Sequence, residues 1–179
     1  MSQDLYRTLQ KQLDTYSLGF PSTESGVEIE LLRELFSEDD ANVFLKLSPM
    51  LETPEVIAVK IGRTVDDTKI KLEDMANRGL LFRLRKGETP RYGAIPFMHG
   101  LVEFNTLRMS RRFAELLERY FEEGFRGAIA KSSGLFLRTI PVGESITPEH
   151  HVASFDDAAE ILKKASPIVV SECTCRKHA

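Results

Sequence analysis

The stretch "TPEVIAVKIGRTVDDTKIKLEDMANRG", residues 53 to 79, leaves the backbone few choices. Thr53 followed by Pro54 is a helix start, because a hydroxyl can cap the first free N–H groups and proline lacks the N–H that would go unpaired there. Gly62 is a helix stop, and Thr64 with Asp66 and Asp67 behind it starts a second helix almost at once. Gly79 ends that one. Two β-rich runs follow, "LLFRLRK" and "PRYGAI", joined by "GET" as a hairpin. Ile57, Ile61, Val65, Leu72 and Met75 fall where one small core with Leu80 and Phe82 can collect them. With the Ser37-capped segment "EDDANVFLKLS" ahead of it, this order of elements predicts a winged helix-turn-helix over residues 37–96.

The flanking segments read as helices. "DLYRTLQKQLDTY" spaces Leu5, Leu9, Leu13 and Tyr16 along one face, "GFPSTES" interrupts, and "GVEIELLRELF" resumes. From Phe97 the run "FMHGLVEFNTLRMSRRFAELLERYFEEGF" predicts a long helix, bent near Ser110, with an aromatic stripe that packs as core rather than lining a ligand pocket or a dimer seam. After "KSSG", the runs "LFLRTIPV", "SFDDAAEILKKAS" and "PIVVSE" suggest strand, Ser154-capped helix and strand. The expected fold is therefore α+β and mainly helical: a winged helix-turn-helix domain followed by long helices and a small α/β unit. Its parts would be 1–36, helices packing on the rest; 37–96, the winged helix; 97–130, the long helical segment; and 131–179, the α/β unit ending in a cysteine motif.

Charge bears on whether the winged helix meets DNA. The chain has 24 basic against 27 acidic residues, a net charge of −3, so bulk attraction to nucleic acid or an anionic membrane is not expected. In the second helix the positions the core does not need are Asp66, Asp67, Lys69, Ile70 and Glu73. Three carboxylates against one lysine repel phosphate where such a helix would enter the major groove. The hairpin differs, with Arg83, Arg85, Lys86 and Arg91 against Glu88. These four cations are the candidate nucleic-acid contacts, and the disagreement between helix and hairpin makes a protein-docking or spacer role the first expectation and DNA the second.

The N-terminus shows no basic stretch followed by an apolar run, and no run of about 18 apolar residues occurs. A cytoplasmic protein with no membrane partner is expected. In a reducing compartment the chain's two cysteines, Cys173 and Cys175 in "SECTCRKHA", are not expected to form a disulfide, which across one residue would also be strained. On extended backbone the two thiols would face one side, with Arg176 and Lys177 favouring the thiolates. Metal or redox chemistry is the better expectation. No phosphate-binding glycine loop, G-x-S-x-G or H-E-x-x-H occurs. His99 reads as a packed or capping residue and Glu122 with Glu123 as a solvated face, so no residue is assigned a catalytic role and the protein is at most an electron-transfer component.

"GFPSTESGVEIELLRELFSEDDA", "EVIAVKIGRTVDDTKIKLEDMANRGLLFRLRKGE", "LRTIPVGESI" and above all "SPIVVSECTCRKHA" resemble the N-terminal half of a bacterial and archaeal family of ferredoxin-like four-iron, four-sulfur proteins with a winged-helix front end. The resemblance implies that Cys173 and Cys175 are the first two cysteines of a cluster motif, completed by further cysteines that this chain lacks. The expected cofactor in the complete protein is then a 4Fe-4S cluster, held with a downstream ferredoxin domain, a redox partner protein or a second copy in a homodimer; for this chain alone the alternative is no cofactor and two unligated reduced thiols. Zinc held by the cysteines with His178, joined by His150 or His151, is the weaker alternative because the C-x-C-x-x-H spacing fits no common closed zinc site. The competing function is a DNA-binding regulator, redox- or metal-sensing, working through the basic hairpin.

Overall fold

Pro54, Gly62, Thr64 and Gly79 act as the punctuation predicts in the computed structural model, which describes residues 2–87, 89–131, 155–170, 172, 173 and 176; Thr53 stands at the cap position of its helix, but its hydroxyl makes no capping hydrogen bond. The protein is mainly helical with a small antiparallel sheet. Helix α1 spans Ser2–Asp14, α2 Val27–Leu35 and α3 Glu38–Phe44. Ser37 heads α3 in a capping box with Asp40, each side chain serving the other's backbone N–H. Helix α4, Pro54–Ile61, ends at Gly62 with φ +67°, and α5, Val65–Asn77, begins with the Thr64 hydroxyl accepting from Asp67 N–H at 3.1 Å.

The hairpin pairs β1, Phe82–Leu84, with β2, Arg91–Gly93, in the register Phe82↔Gly93, Arg83↔Tyr92, Leu84↔Arg91. A third piece of extended chain lies on the other edge of β2: Glu52 and Tyr92 exchange both backbone hydrogen bonds, at 2.9 and 2.8 Å. The sequence showed no strand there, because one bridging residue leaves no alternating pattern to read.

Ile57, Leu72, Met75 and Leu80 enter the core as expected, but Phe82 remains 39% exposed and Leu81 is buried in its place. Alternation explains the exchange: on leaving Gly79 the strand turns Leu81 inward, which sends Phe82 and Leu84 outward. Ile61 and Val65 are half-buried at the α4–α5 turn. This core is continuous with that of the N-terminal helices. Leu9 and Leu13 of α1 and Leu31 and Leu32 of α2 are buried in the same cluster as Phe44, Ile57 and Leu72.

The predicted long helix from Phe97 is instead broken into pieces. Phe97–Leu101 is an irregular wide turn in which Met98 is extended and His99 lies at φ +60°; α6 is the single turn Val102–Phe104, and a tight turn covers Thr106–Arg108. His99 is exposed. Two polar side chains account for the break. Asn105 Nδ2 donates to the carbonyls of Leu101 and Gly79, at 2.9 and 3.1 Å, and the Ser110 hydroxyl accepts from Phe113 N–H at 3.0 Å, starting a new helix. That helix runs as α7, Arg111–Tyr120, a wide turn Phe121–Phe125 and α8, Arg126–Lys131.

The stripe is core, but only in part. Phe97, Leu101, Phe113, Leu117 and Tyr120 are buried, whereas Phe104 and Leu107 are exposed. Phe97 and Tyr120 form a cluster with Phe20, whose ring centroid lies 4.1 Å from that of Phe97 and 4.8 Å from that of Tyr120. Phe20 belongs to the "GFPSTES" interruption, so this loop is an anchor rather than a spacer. It is held by Gln10 Nε2 donating to the Phe20 carbonyl at 2.6 Å, by Phe20 N–H donating to Asp14 Oδ1 at 2.8 Å, and by the fully buried Glu28 carboxylate, which pairs with Arg7 at 2.9 Å and accepts from Thr23.

The chain divides into two units, residues 1–133 with 173–179, and residues 134–172. The described part of the second holds α9, Phe155–Lys164. The expected strand "LFLRTIPV" and Ser154 lie outside the described residues. Residues 167–170 of the expected strand "PIVVSE" are irregular and exposed: an apolar run becomes a strand only where an edge aligns with it, and none pairs with it among the described residues.

Gly79 sits at φ +73° with the Phe104 carbonyl oxygen 2.7 Å from where a Cβ would sit; Gly62 has a similar φ, +67°, and open space around it. Gly79→Ala is expected to cost at least about 2 kcal/mol and Gly62→Ala about 1 kcal/mol in urea unfolding. Equal losses would mean that only the backbone angle matters.

Candidate functional site

More than apolar contact fixes α5 against α3: Asp40 of α3 is 1% exposed and faces the cations of α5. Its carboxylate accepts from Arg78 at the end of α5, Nη2 to Oδ1 at 2.6 Å and Nη1 to Oδ2 at 3.0 Å, from Lys71 Nζ at 2.7 Å, and from the N–H and hydroxyl of Ser37 at 3.0 and 2.7 Å. Asp39 beside it pairs with Lys71 at 2.6 Å and with Arg63 of the α4–α5 turn. Burial pushes the Asp40 carboxyl upward, but the hydrogen bonds from Arg78, Lys71 and Ser37 outweigh it and hold the group far below the usual carboxylate range.

With α5 so fixed, its outward face carries Asp66, Asp67, Lys69 and Ile70, all exposed, Ile70 at 71%. Lys69 lies 3.9 Å from Glu55 of α4. This surface is acidic with an apolar residue in its middle, as the sequence implied.

The hairpin is less basic than its composition. Glu73 of α5 accepts from Arg83 Nη1 at 2.6 Å and from Arg85 Nη2 at 2.9 Å through Oε2, and from the Tyr92 hydroxyl through Oε1. The hydrogen bond from Tyr92, followed by the charges of Arg83 and Arg85, lowers the Glu73 carboxyl, while burial and the same carboxylate raise the Tyr92 hydroxyl well above its ordinary value. Of the four predicted contacts, Arg83 and Arg85 are thus engaged by α5, whereas Lys86 and Arg91 are exposed with no ion pair among the described residues. By its spacing Glu73 counts among the outward acids of α5; that it reaches the hairpin follows only from the placement of β1 beside α5.

Cys173 is an exposed free thiol. Arg176 N–H donates to the Cys173 carbonyl at 3.1 Å. Cys175, His150, His151 and His178 lie outside the described residues. Among the described residues no three His, Cys, Asp or Glu side chains converge as a metal site. A four-iron cluster takes four thiolates and the chain has two cysteines, so its own donor set does not fit a complete cluster. No protein-family model, no curated protein and no solved structure matches the chain.

The clamp has a pH signature. Because Asp40 titrates lower in the folded chain than in the unfolded one, its contribution is fully present above the unfolded value near 4 and is lost as pH falls below it. Asp40→Asn is expected to lose about 2–4 kcal/mol in urea unfolding at pH 7 and to flatten the stability-versus-pH curve below about pH 4. An unchanged acid limb would place the acid sensitivity elsewhere.

Proposed function

We propose that residues 37–96 form a winged helix-turn-helix used for protein docking, and that this chain is the scaffold or docking region of an iron–sulfur, ferredoxin-like electron-transfer protein. Cys173 and Cys175 would be the first two thiolates of a cluster site completed by cysteines downstream or on a partner. The observation that carries the docking reading is the order of elements around α5: α3, the bridging strand residue Glu52, α4, α5, then β1 and β2, with β2 between Glu52 and β1 in the sheet. That order supports the winged-helix reading, and the outward face of α5 is acidic and exposed where a DNA reader carries cations. The cluster part rests on the C-x-C-R stretch and on the exposed Cys173 thiol, accessible to an incoming iron–sulfur unit. A DNA-binding regulator is the second reading, favoured by exposed Lys86 and Arg91 alone.

Anaerobic reconstitution with iron and sulfide, followed by iron, sulfide and zinc analysis and a visible spectrum, separates the cofactor readings. About two irons and two sulfides per chain, lost in Cys173→Ser, are expected if two copies pool their thiolates, with Mössbauer spectra distinguishing a shared four-iron cluster from a two-iron one in each chain. Stoichiometric zinc without sulfide would overturn the iron–sulfur reading. A chain that takes up no metal would exclude sharing between copies and leave completion by other cysteines.

A further inference from the structure

Glu73 lies in the third turn of α5 and reaches three residues of the hairpin: Arg83 on β1, Arg85 just past it, and Tyr92 on β2. Arg83 also donates to Asn77 Oδ1, one turn further along α5, at 2.9 Å. Their side-chain exposures are 23% for Arg83, 32% for Glu73 and 65% for Arg85, so the cluster is partly withdrawn from solvent and its pairs are screened less than open surface pairs. Tyr92 is buried at 1% and fixes the other carboxylate oxygen. The carboxylate is therefore held in place from both strands while it binds the two guanidinium groups.

A carboxylate held against a guanidinium offsets its charge and so weakens its pull on a phosphate, although N–H groups of both arginines remain outside the pair. Arg83 and Arg85 are half of the hairpin's predicted phosphate contacts. In the first turn of α5, Asp66 and Asp67 add negative charge, and Lys69 faces Glu55. We infer that Glu73 decides which class of partner this helix-and-hairpin surface accepts, withholding Arg83 and Arg85 from phosphate so that the surface rejects nucleic acid and is left for protein. The inference rests on the docking reading above. A mere mechanical tie between hairpin and helix makes a different forecast: losing the Glu73 charge would lower stability and leave phosphate affinity unchanged.

Fluorescence anisotropy of the full chain with a labelled duplex of about 20 base pairs, across roughly 20–200 mM salt, tests it. Wild type is expected to bind weakly, and Arg83→Ala/Arg85→Ala to leave that affinity within about twofold, because two engaged cations are not in use. Glu73→Gln, checked for wild-type helicity by circular dichroism, is expected to tighten binding at least about tenfold. Its plot of log affinity against log salt should steepen by about 1.8, the slope for two added phosphate contacts. Adding Arg83→Ala/Arg85→Ala to Glu73→Gln should abolish the gain, and Tyr92→Phe, which keeps the charge, should not produce it. Folded Glu73→Gln with wild-type affinity would overturn the inference and leave the docking reading standing. Tight wild-type binding lost in Arg83→Ala/Arg85→Ala would overturn both. If Glu73→Gln does not fold, the double arginine variant in the wild-type chain decides.

Discussion

Asp40 is a carboxylate taken almost wholly out of water, and the arrangement of α3 and α5 depends on how that is compensated. Desolvating a charge costs several kcal/mol unless partners replace the lost hydration. Ser37 supplies two donors from the start of the same helix, while Arg78 and Lys71 supply three from α5. The local device that begins α3 is thus also the long-range device that orients α5. A shift of α5 by one turn would separate Lys71 and Arg78 from Asp40 and leave a buried charge unpaired. Apolar packing between α4 and α5 tolerates small rotations, but this network has directions and does not.

Glu73 repeats that chemistry on the other side of the same helix. Lys71 and Arg78 point α5's cations at α3, and Glu73 points its carboxylate at the hairpin. The outward face between them retains Asp66, Asp67 and Ile70, with Lys69 drawn toward Glu55. Within α5, then, Lys71, Glu73 and Asp74 are taken up by ion pairs that hold the fold together, while Asp66 and Asp67 are displayed. This distribution gives the surface its character more directly than the net charge of the whole chain does.

A second buried carboxylate, Glu28, holds another part of the first unit. With Gln10 and Asp14 it holds residues 19–26 so that Phe20 enters the aromatic cluster against Phe97 and Tyr120. Tyr120 also donates to the Pro21 carbonyl at 3.2 Å, and a Cβ on Gly124 would lie 2.7 Å from the Thr23 side chain. The wide turn Phe121–Phe125 brings Phe121 and Phe125 within ring-contact distance of Tyr120. An insertion of this kind alters which side chains share a face, and so the simple three- and four-residue spacing of the aromatic stripe does not persist along the segment.

What was legible in the residues was whatever is decided within a turn or two of chain. Ser37, Thr64, Gly62 and Gly79 act on their own backbone neighbours, so helices α3 to α5 and the hairpin could be placed from spacing alone. The candidate surface was half legible for the same reason: the acids of α5 and the cations of the hairpin are both visible in the sequence. Their pairing through Glu73 was not, because Arg83 and Glu73 meet only once β1 is laid beside α5, and no local pattern records that register. Likewise Asn105 breaks its helix by reaching Gly79, 26 residues away, and Phe20 becomes core only because residues 97 and 120 arrive beside it. Composition and local propensity determined the elements; the partners of buried and charged side chains, which pair across long separations, were decided by the tertiary structure.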